Sequence, residues 1–129
     1  MTRAECEAAV VEGKLGIEGC FEQQDYWAGA VKQCGGVGNM PTMADLGKIA
    51  SAIYKGNPTV GAYNDVSNLT YESGTATSLG LPEPSFYLWS GEEYSKYSAY
   101  YRDFSPTYTY CSDTNSRTYS GNQAICRVD

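Results

Sequence analysis

The stretch Phe86-Tyr87-Leu88-Trp89-Ser90-Gly91-Glu92-Glu93-Tyr94-Ser95-Lys96-Tyr97-Ser98-Ala99-Tyr100-Tyr101-Arg102-Asp103-Phe104 decides the fold. Its first four residues form an unbroken apolar and aromatic run and read as a buried strand. Ala99 to Phe104 alternate between faces and read as a second strand. Further on, Gln123-Ala124-Ile125-Cys126-Arg127-Val128 reads as the last strand. Upstream of Phe86 the chain reads as helical or irregular apart from one short strand near its start, so helices come first and an antiparallel sheet late. That order predicts an α+β fold.

Three helix starts are legible. Thr2 and Glu5 have capping-box spacing, with Cys6, Ala9 and Val10 on one face and Gly13 as the stop. Asp25 N-caps a helix with Trp27, Ala30, Val31 and Cys34 at i, i+3, i+4 and i+7. Gly35-Gly36-Val37-Gly38-Asn39 ends it. This glycine cluster follows a helix rather than a strand, so it reads as a cap and turn, not as a phosphate cradle. Thr42 and Asp45 open a third helix carrying Leu46, Ile49, Ala50 and Ile53, closed by Gly56-Asn57-Pro58. Between the first two helices, Leu15, Ile17 and Cys20 alternate with Gly16 and Glu18, which predicts a short strand. From Thr59 to Pro84 no period holds, and the segment reads as a long loop.

Composition sets bounds on function. The chain has 129 residues, enough for one domain with a real core. Its net charge of −6 disfavours phosphate backbones, so no nucleic acid is expected as a partner. It equally disfavours anionic membrane surfaces, and no apolar run is long enough to insert in a bilayer. There is no His, which removes Ser-His-Asp and Cys-His catalysis and every His-ligated metal. Glu92 and Glu93 are adjacent, so on a strand they face opposite ways and form no catalytic pair. The chain is therefore not expected to be an enzyme. A reactive Cys111 flanked in sequence by Arg102 and Arg117 is the one chemical alternative. Five Cys point to an oxidising compartment, with room for two disulfides and one thiol, their pairing left open. Met1 is followed at once by charged and polar residues, with no secretory leader. That is compatible with an anchoring helix lying upstream in the natural protein.

The segment Tyr94–Asn122 breaks with the rest. Its 29 residues hold seven Tyr, six Ser, four Thr, two Asn and two Asp, and no Val, Ile, Leu or Met. Such a segment can supply little aliphatic core. A merely soluble loop has no reason to carry so much aromatic surface. Tyr among small polar residues is paratope composition: rigid contact area beside adaptable hydrogen bonds. Asp103, Asp113, Asn115 and Asn122 could contribute to a hard-cation site, but their spacing matches no calcium loop. No metal and no cofactor is expected, with calcium as the lesser alternative.

Five features in order carry a family resemblance: Trp27…Ala30…Cys34, Met40-Pro41-Thr42…Asp45-Leu46, Leu88-Trp89-Ser90…Glu93, Ala99-Tyr100-Tyr101-Arg102-Asp103-Phe104, and Ala124-Ile125-Cys126. Together they resemble a bacterial C-type-lectin-like domain, similar to the C-terminal domain of Legionella-type collagen-like adhesins. The chain departs from that pattern at Met40, Asp45, Leu88 and Gly91, where the family carries Leu, Glu, an aromatic residue and Ser. The resemblance implies two core helices packed on a small twisted antiparallel sheet over residues 25–129. Residues 1–24 would be a helix-and-strand extension within one compact unit. It further implies a Cys34–Cys126 disulfide, with Cys6 and Cys20 pairing in the extension and Cys111 left over. Glu83-Pro84-Ser85 only loosely matches the calcium triplet of sugar-binding lectins, and no Trp-Asn-Asp occurs.

The Tyr-rich segment also resembles the variable region of proteins diversified by retroelements that mutate template adenines. Tyr94, Tyr97, Tyr100, Tyr101, Asp103, Ser105, Tyr108, Tyr110, Asp113, Asn115, Arg117 and Tyr119 all fit the residue set reachable from an Asn codon. So does Cys111; Lys96 does not. The resemblance implies a surface-displayed binding module of adhesin or receptor type, extracellular or on a bacterial cell surface. Those twelve residues and Lys96 would form its ligand surface, and the ligand would be a protein or glycan. Two other roles fit the same residues: a pilin-like or other structural surface subunit whose Tyr face packs in an assembly, and a lectin of fixed specificity.

Overall fold

The computed structural model describes residues 1–17, 19–21, 24–56, 58–111 and 114–127. Glu18, Asn57, Asp113 and Val128, which enter the sequence reading, lie outside the described residues.

The helices begin where their caps dictate. Helix α1 (Arg3–Val11) and helix α3 (Met43–Ile53) each open on a complete capping box. Thr2 Oγ1 accepts the Glu5 N–H at 3.2 Å and Glu5 Oε1 accepts the Thr2 N–H at 3.1 Å. Thr42 and Asp45 repeat the exchange at 3.1 and 2.9 Å. Helix α2 (Tyr26–Gln33) is capped by Asp25 Oδ1, which accepts the Ala28 N–H at 2.8 Å. At the other end of α2 the Gly36 N–H reaches the Val31 carbonyl and the Gly35 N–H the Lys32 carbonyl. This paired reach-back needs a left-handed residue, and Gly35 supplies it at φ +81°. The glycine cluster is thus a helix stop, continued by a 3₁₀ turn over Val37–Asn39.

Four strands make an antiparallel sheet: β1 (Phe86–Ser95), β2 (Ser98–Phe104), β3 (Thr109–Tyr110) and β4 (Thr114–Ser116). Strand β2 is central. It pairs with β1 along one edge, and with β4 and then β3 along the other. Phe86 lies opposite Phe104, Tyr87 opposite Asp103, Leu88 opposite Arg102 and Trp89 opposite Tyr101, with irregularities beyond Trp89.

Because side chains alternate, this register sorts the sheet into two cores. One face sends Phe86, Leu88 and Phe104 against Met43, Leu46, Ala50 and Ile53 of α3. The other sends Trp89 and Ala99 against Trp27, Ala28 and Val31 of α2 and Cys6 and Ala9 of α1. Each large apolar side chain fully withdrawn from water contributes about 1.5–3 kcal/mol. Two disulfides close the fold, Cys6–Cys20 and Cys34–Cys126, with Cα separations of 5.9 and 5.3 Å. Cys111 is the free thiol. None of the described helices is long and apolar enough to cross a membrane.

Three sequence expectations are corrected. Among its described residues, the last strand reduces to one parallel bridge, Gln123 beside Leu88. Beyond it, Cys126 is tied to Cys34 and the Arg127 N–H bonds the Asn39 carbonyl, which draws the chain off the sheet. Among its described residues, the expected strand over Leu15–Cys20 is irregular, because Gly16 turns at φ +70° and the Leu15 carbonyl accepts the Val37 N–H. The loop from Thr59 to Pro84 contains a short helix, α4 (Ser73–Ser78), and is pinned by bridges Tyr54–Tyr71 and Val66–Thr109.

Candidate ligand surface

Among the described residues, six of the eight exposed large hydrophobic side chains are Tyr, and four of them lie in the Tyr-rich segment: Tyr94, Tyr97, Tyr110 and Tyr119. The rings do not form one sheet of tyrosine; they fall into three groups.

The largest group surrounds Asp103. Register places Tyr87 across from Asp103 on β1 and Tyr110 across from it on β3. Tyr101 sits two residues back on the same strand and therefore on the same face. Tyr87 and Tyr101 meet edge to face at 5.8 Å between centroids, and Tyr108 stacks on Tyr110 at 4.2 Å. Asp103 is half-buried, and Ser105 Oγ donates to its Oδ1 at 2.8 Å. Burial pushes the Asp103 carboxyl above its ordinary range, with the Ser105 bond opposing. The Asp103 charge in turn raises the Tyr87 phenol, helped by desolvation and by Tyr119 and Tyr108.

The second group is Tyr63, Tyr94 and Tyr100. The Tyr100 ring meets Tyr63 at 5.3 Å and Tyr94 at 5.6 Å. The Tyr63 hydroxyl donates to Glu92 Oε1, and Glu92 Oε2 accepts the Met43 N–H at 2.6 Å. Glu92 is thus a carboxylate from β1 seated at the N-terminus of α3, where backbone N–H groups favour negative charge. The hydrogen bond to Glu92, followed by desolvation, pushes the Tyr63 phenol up to about 12.

The third group is Tyr97, edge to face with Phe21 at 5.6 Å and under the Lys96 ammonium at 5.0 Å.

Two expected ligand residues lie inside instead. Ser105 is 2% exposed and its carbonyl accepts the Tyr54 hydroxyl at 2.8 Å. Arg117 is 1% exposed; its guanidinium pairs with buried Asp25 at 2.6 Å and lies 4.9 Å from the Trp27 ring centre. It also donates to the Gly19 carbonyl at 3.1 Å. Both side chains are thus buried in the fold, Arg117 balancing the charge of Asp25 and Ser105 Oγ donating to Asp103. Asn115 pairs through its backbone with Ala99, and Asp113 lies outside the described residues.

Cys111 packs in the α3-side core, with the Arg102 guanidinium 3.4 Å from its sulfur and its N–H on Asp65 Oδ1 at 2.7 Å. Burial pushes its thiol up, and Asp65 adds to that, while Arg102 opposes. That is the reverse of an activated nucleophile. Among the described residues no three Cys, Asp or Glu side chains are grouped to hold a metal.

Sequence reasoning missed Tyr63, Tyr87, Phe21 and Glu92, all outside the Tyr-rich segment. Only Tyr87 lay in a strand that the sequence reading recognised, and there it was read as part of a buried run. No protein-family model, curated protein or solved structure matches the chain.

Proposed function

We propose that this chain is a ligand-binding module displayed in an oxidising, extracellular setting, which recognises a partner through tyrosines arrayed on a rigid α+β scaffold. The observation that carries the reading is the placement of the aromatic surplus. Both cores are filled by other residues, yet Tyr94, Tyr97, Tyr110 and Tyr119 stay exposed. Exposed rings of this kind supply large contact area at low entropy cost and anchor most protein interfaces. The two disulfides fit an extracellular setting. Helices on both faces of a small antiparallel sheet, with a helix-to-C-terminus disulfide, support a lectin-like scaffold of the adhesin type.

The test is selection of a random-peptide phage library, in parallel with a glycan array, on the parent and on a variant with Tyr94, Tyr97, Tyr110 and Tyr119 changed to Ser. Exposed substitutions of this kind each shift stability within about 0.5 kcal/mol. The variant should therefore melt near the parent and lose the selected ligands. A large drop in melting temperature, or ligands retained by the variant, would overturn the reading.

Diversification of the segment adds a second expectation. Among clones of the source population, codons 94, 97, 101, 103, 108, 110 and 119 should vary. Codons 105, 111 and 117 should stay fixed because their side chains are buried. Variation spread evenly over all ten codons would argue against this scaffold, and none at all would mean one fixed ligand.

A further inference from the structure

We propose that the tyrosine group around Asp103 is a docking site for an arginine side chain of a protein partner. This rests on the recognition reading above and names the chemistry of the contact. Asp103 is bordered by aromatic rings on three sides: Tyr87 across one strand boundary, Tyr110 across the other, and Tyr101 along its own strand. Directly opposed residues on neighbouring strands have Cβ atoms about 4.5–5.5 Å apart, so these rings stand beside the carboxylate. Tyr108, stacked on Tyr110, extends the wall.

A carboxylate bordered by aromatic side chains is complementary to a planar cation. The guanidinium can take the carboxylate through paired N–H bonds while stacking on a ring, which an ammonium cannot do. The sheet's own cations are committed elsewhere. Arg102 is engaged by the Gly61, Ala62 and Asn64 carbonyls and Arg117 by Asp25. Among the described residues, the one bond to the Asp103 carboxylate is that from neutral Ser105. The whole chain carries a net charge of −6, which favours approach of a cationic partner. Asp103 is also a cost to the fold rather than a support. Desolvation raises its pKa, so its ionised form is disfavoured by folding above the unfolded value. A charge held at a cost on a surface of rings is consistent with a role in binding.

The test is an amide NMR titration of the parent chain with N-acetyl-arginine amide, and with N-acetyl-citrulline amide as the uncharged isostere. The arginine probe should shift the amides of Tyr87, Tyr101, Asp103 and Tyr110 saturably, and the citrulline probe should bind about tenfold more weakly. Asp103→Asn should abolish the difference without lowering the melting temperature. Equal binding of the two probes at these rings, unchanged in Asp103→Asn, would overturn the arginine assignment and leave recognition by tyrosine standing. No localised shift from either probe would overturn it too, with the recognition reading then judged by the peptide and glycan selection alone. Unfolding of Asp103→Asn would make the carboxylate structural and overturn the proposal directly.

Discussion

At the scale of single residues, the contrast between Arg117 and Asp103 shows how composition misleads. Both stand in the same polar, aromatic segment. One is drawn inside by distant partners, Asp25, which also caps α2, the Gly19 carbonyl and the Trp27 ring; the other keeps its carboxylate half-exposed among rings. Removing one member of a buried ion pair leaves the other charged and bare, at about 3–5 kcal/mol. Arg117→Met should therefore lose that much stability in urea titrations. A variant of parent stability that had lost ligand binding would instead return Arg117 to the contact surface. Tyr63 makes a second residue-level prediction. Its phenol is held neutral by the bond to Glu92, up to about 12. The support this gives the fold is intact below the ordinary phenol range near pH 10 and fades as pH rises through about 12. In an absorbance titration at alkaline pH, the difference between the parent and Tyr63→Phe should develop near pH 12, not near 10. A difference centred near 10 would mean that the hydrogen bond does not persist in solution.

At the scale of elements, what was legible was local. Thr2, Asp25 and Thr42 announce their helices because a cap and its partner lie three residues apart, and the alternation of Ala99 to Phe104 announces β2 for the same reason. What was not legible depends on distant partners. Helix α4 has no apolar period and buries only Ala76, so it follows from the core it leans on. Gln123 to Arg127 alternates like a strand but answers to Cys34 and Asn39 instead. The ligand surface was legible as a composition, not as groups, because Phe21, Tyr63, Tyr87 and Glu92 join it from other elements. Gly91 is the clearest case of element packing. A Cβ there would lie 2.7 Å from Met40 Cβ and 3.0 Å from the Val37 carbonyl oxygen. Any side chain larger than hydrogen thus has no room where β1 crosses the 3₁₀ turn. Gly91→Ala should cost about 1–3 kcal/mol by overpacking. Gly74→Ala in α4, where a Cβ meets nothing within 4 Å, should gain about 0.5–1 kcal/mol. Chemical denaturation of the two variants checks both signs, and a neutral Gly91→Ala would mean that β1 and the turn can part.

At the scale of the whole molecule, the two cores are secured differently. The α3-side core relies on packing and on buried Arg102, which ties β2 to the loop at Gly61–Asn64. The α1/α2 side holds both Trp residues and is stapled by both disulfides, Cys6, Cys20 and Cys34 all packing there. The staples are unequal in reach: one spans 14 positions and the other 92. In the chain-entropy account the longer closure removes more freedom from the unfolded chain, about 4–5 kcal/mol against about 3. The longer one also has more to hold, since the segment after Gln123 is otherwise fixed by a few bonds, among them Arg127 to the Asn39 carbonyl and to Asp45 at 3.3 Å. Replacing Cys34 and Cys126 by Ser should therefore lower the melting temperature by on the order of 15 °C. Replacing Cys6 and Cys20 should lower it less. Because β1 and β2 face both cores, the loss should appear as one transition, with Trp fluorescence and backbone circular dichroism coincident. Separate transitions, with Trp27 and Trp89 exposed first, would show that the shared sheet does not couple the two sides. The tyrosines around Asp103 would then sit on a face able to loosen while the α3 side holds.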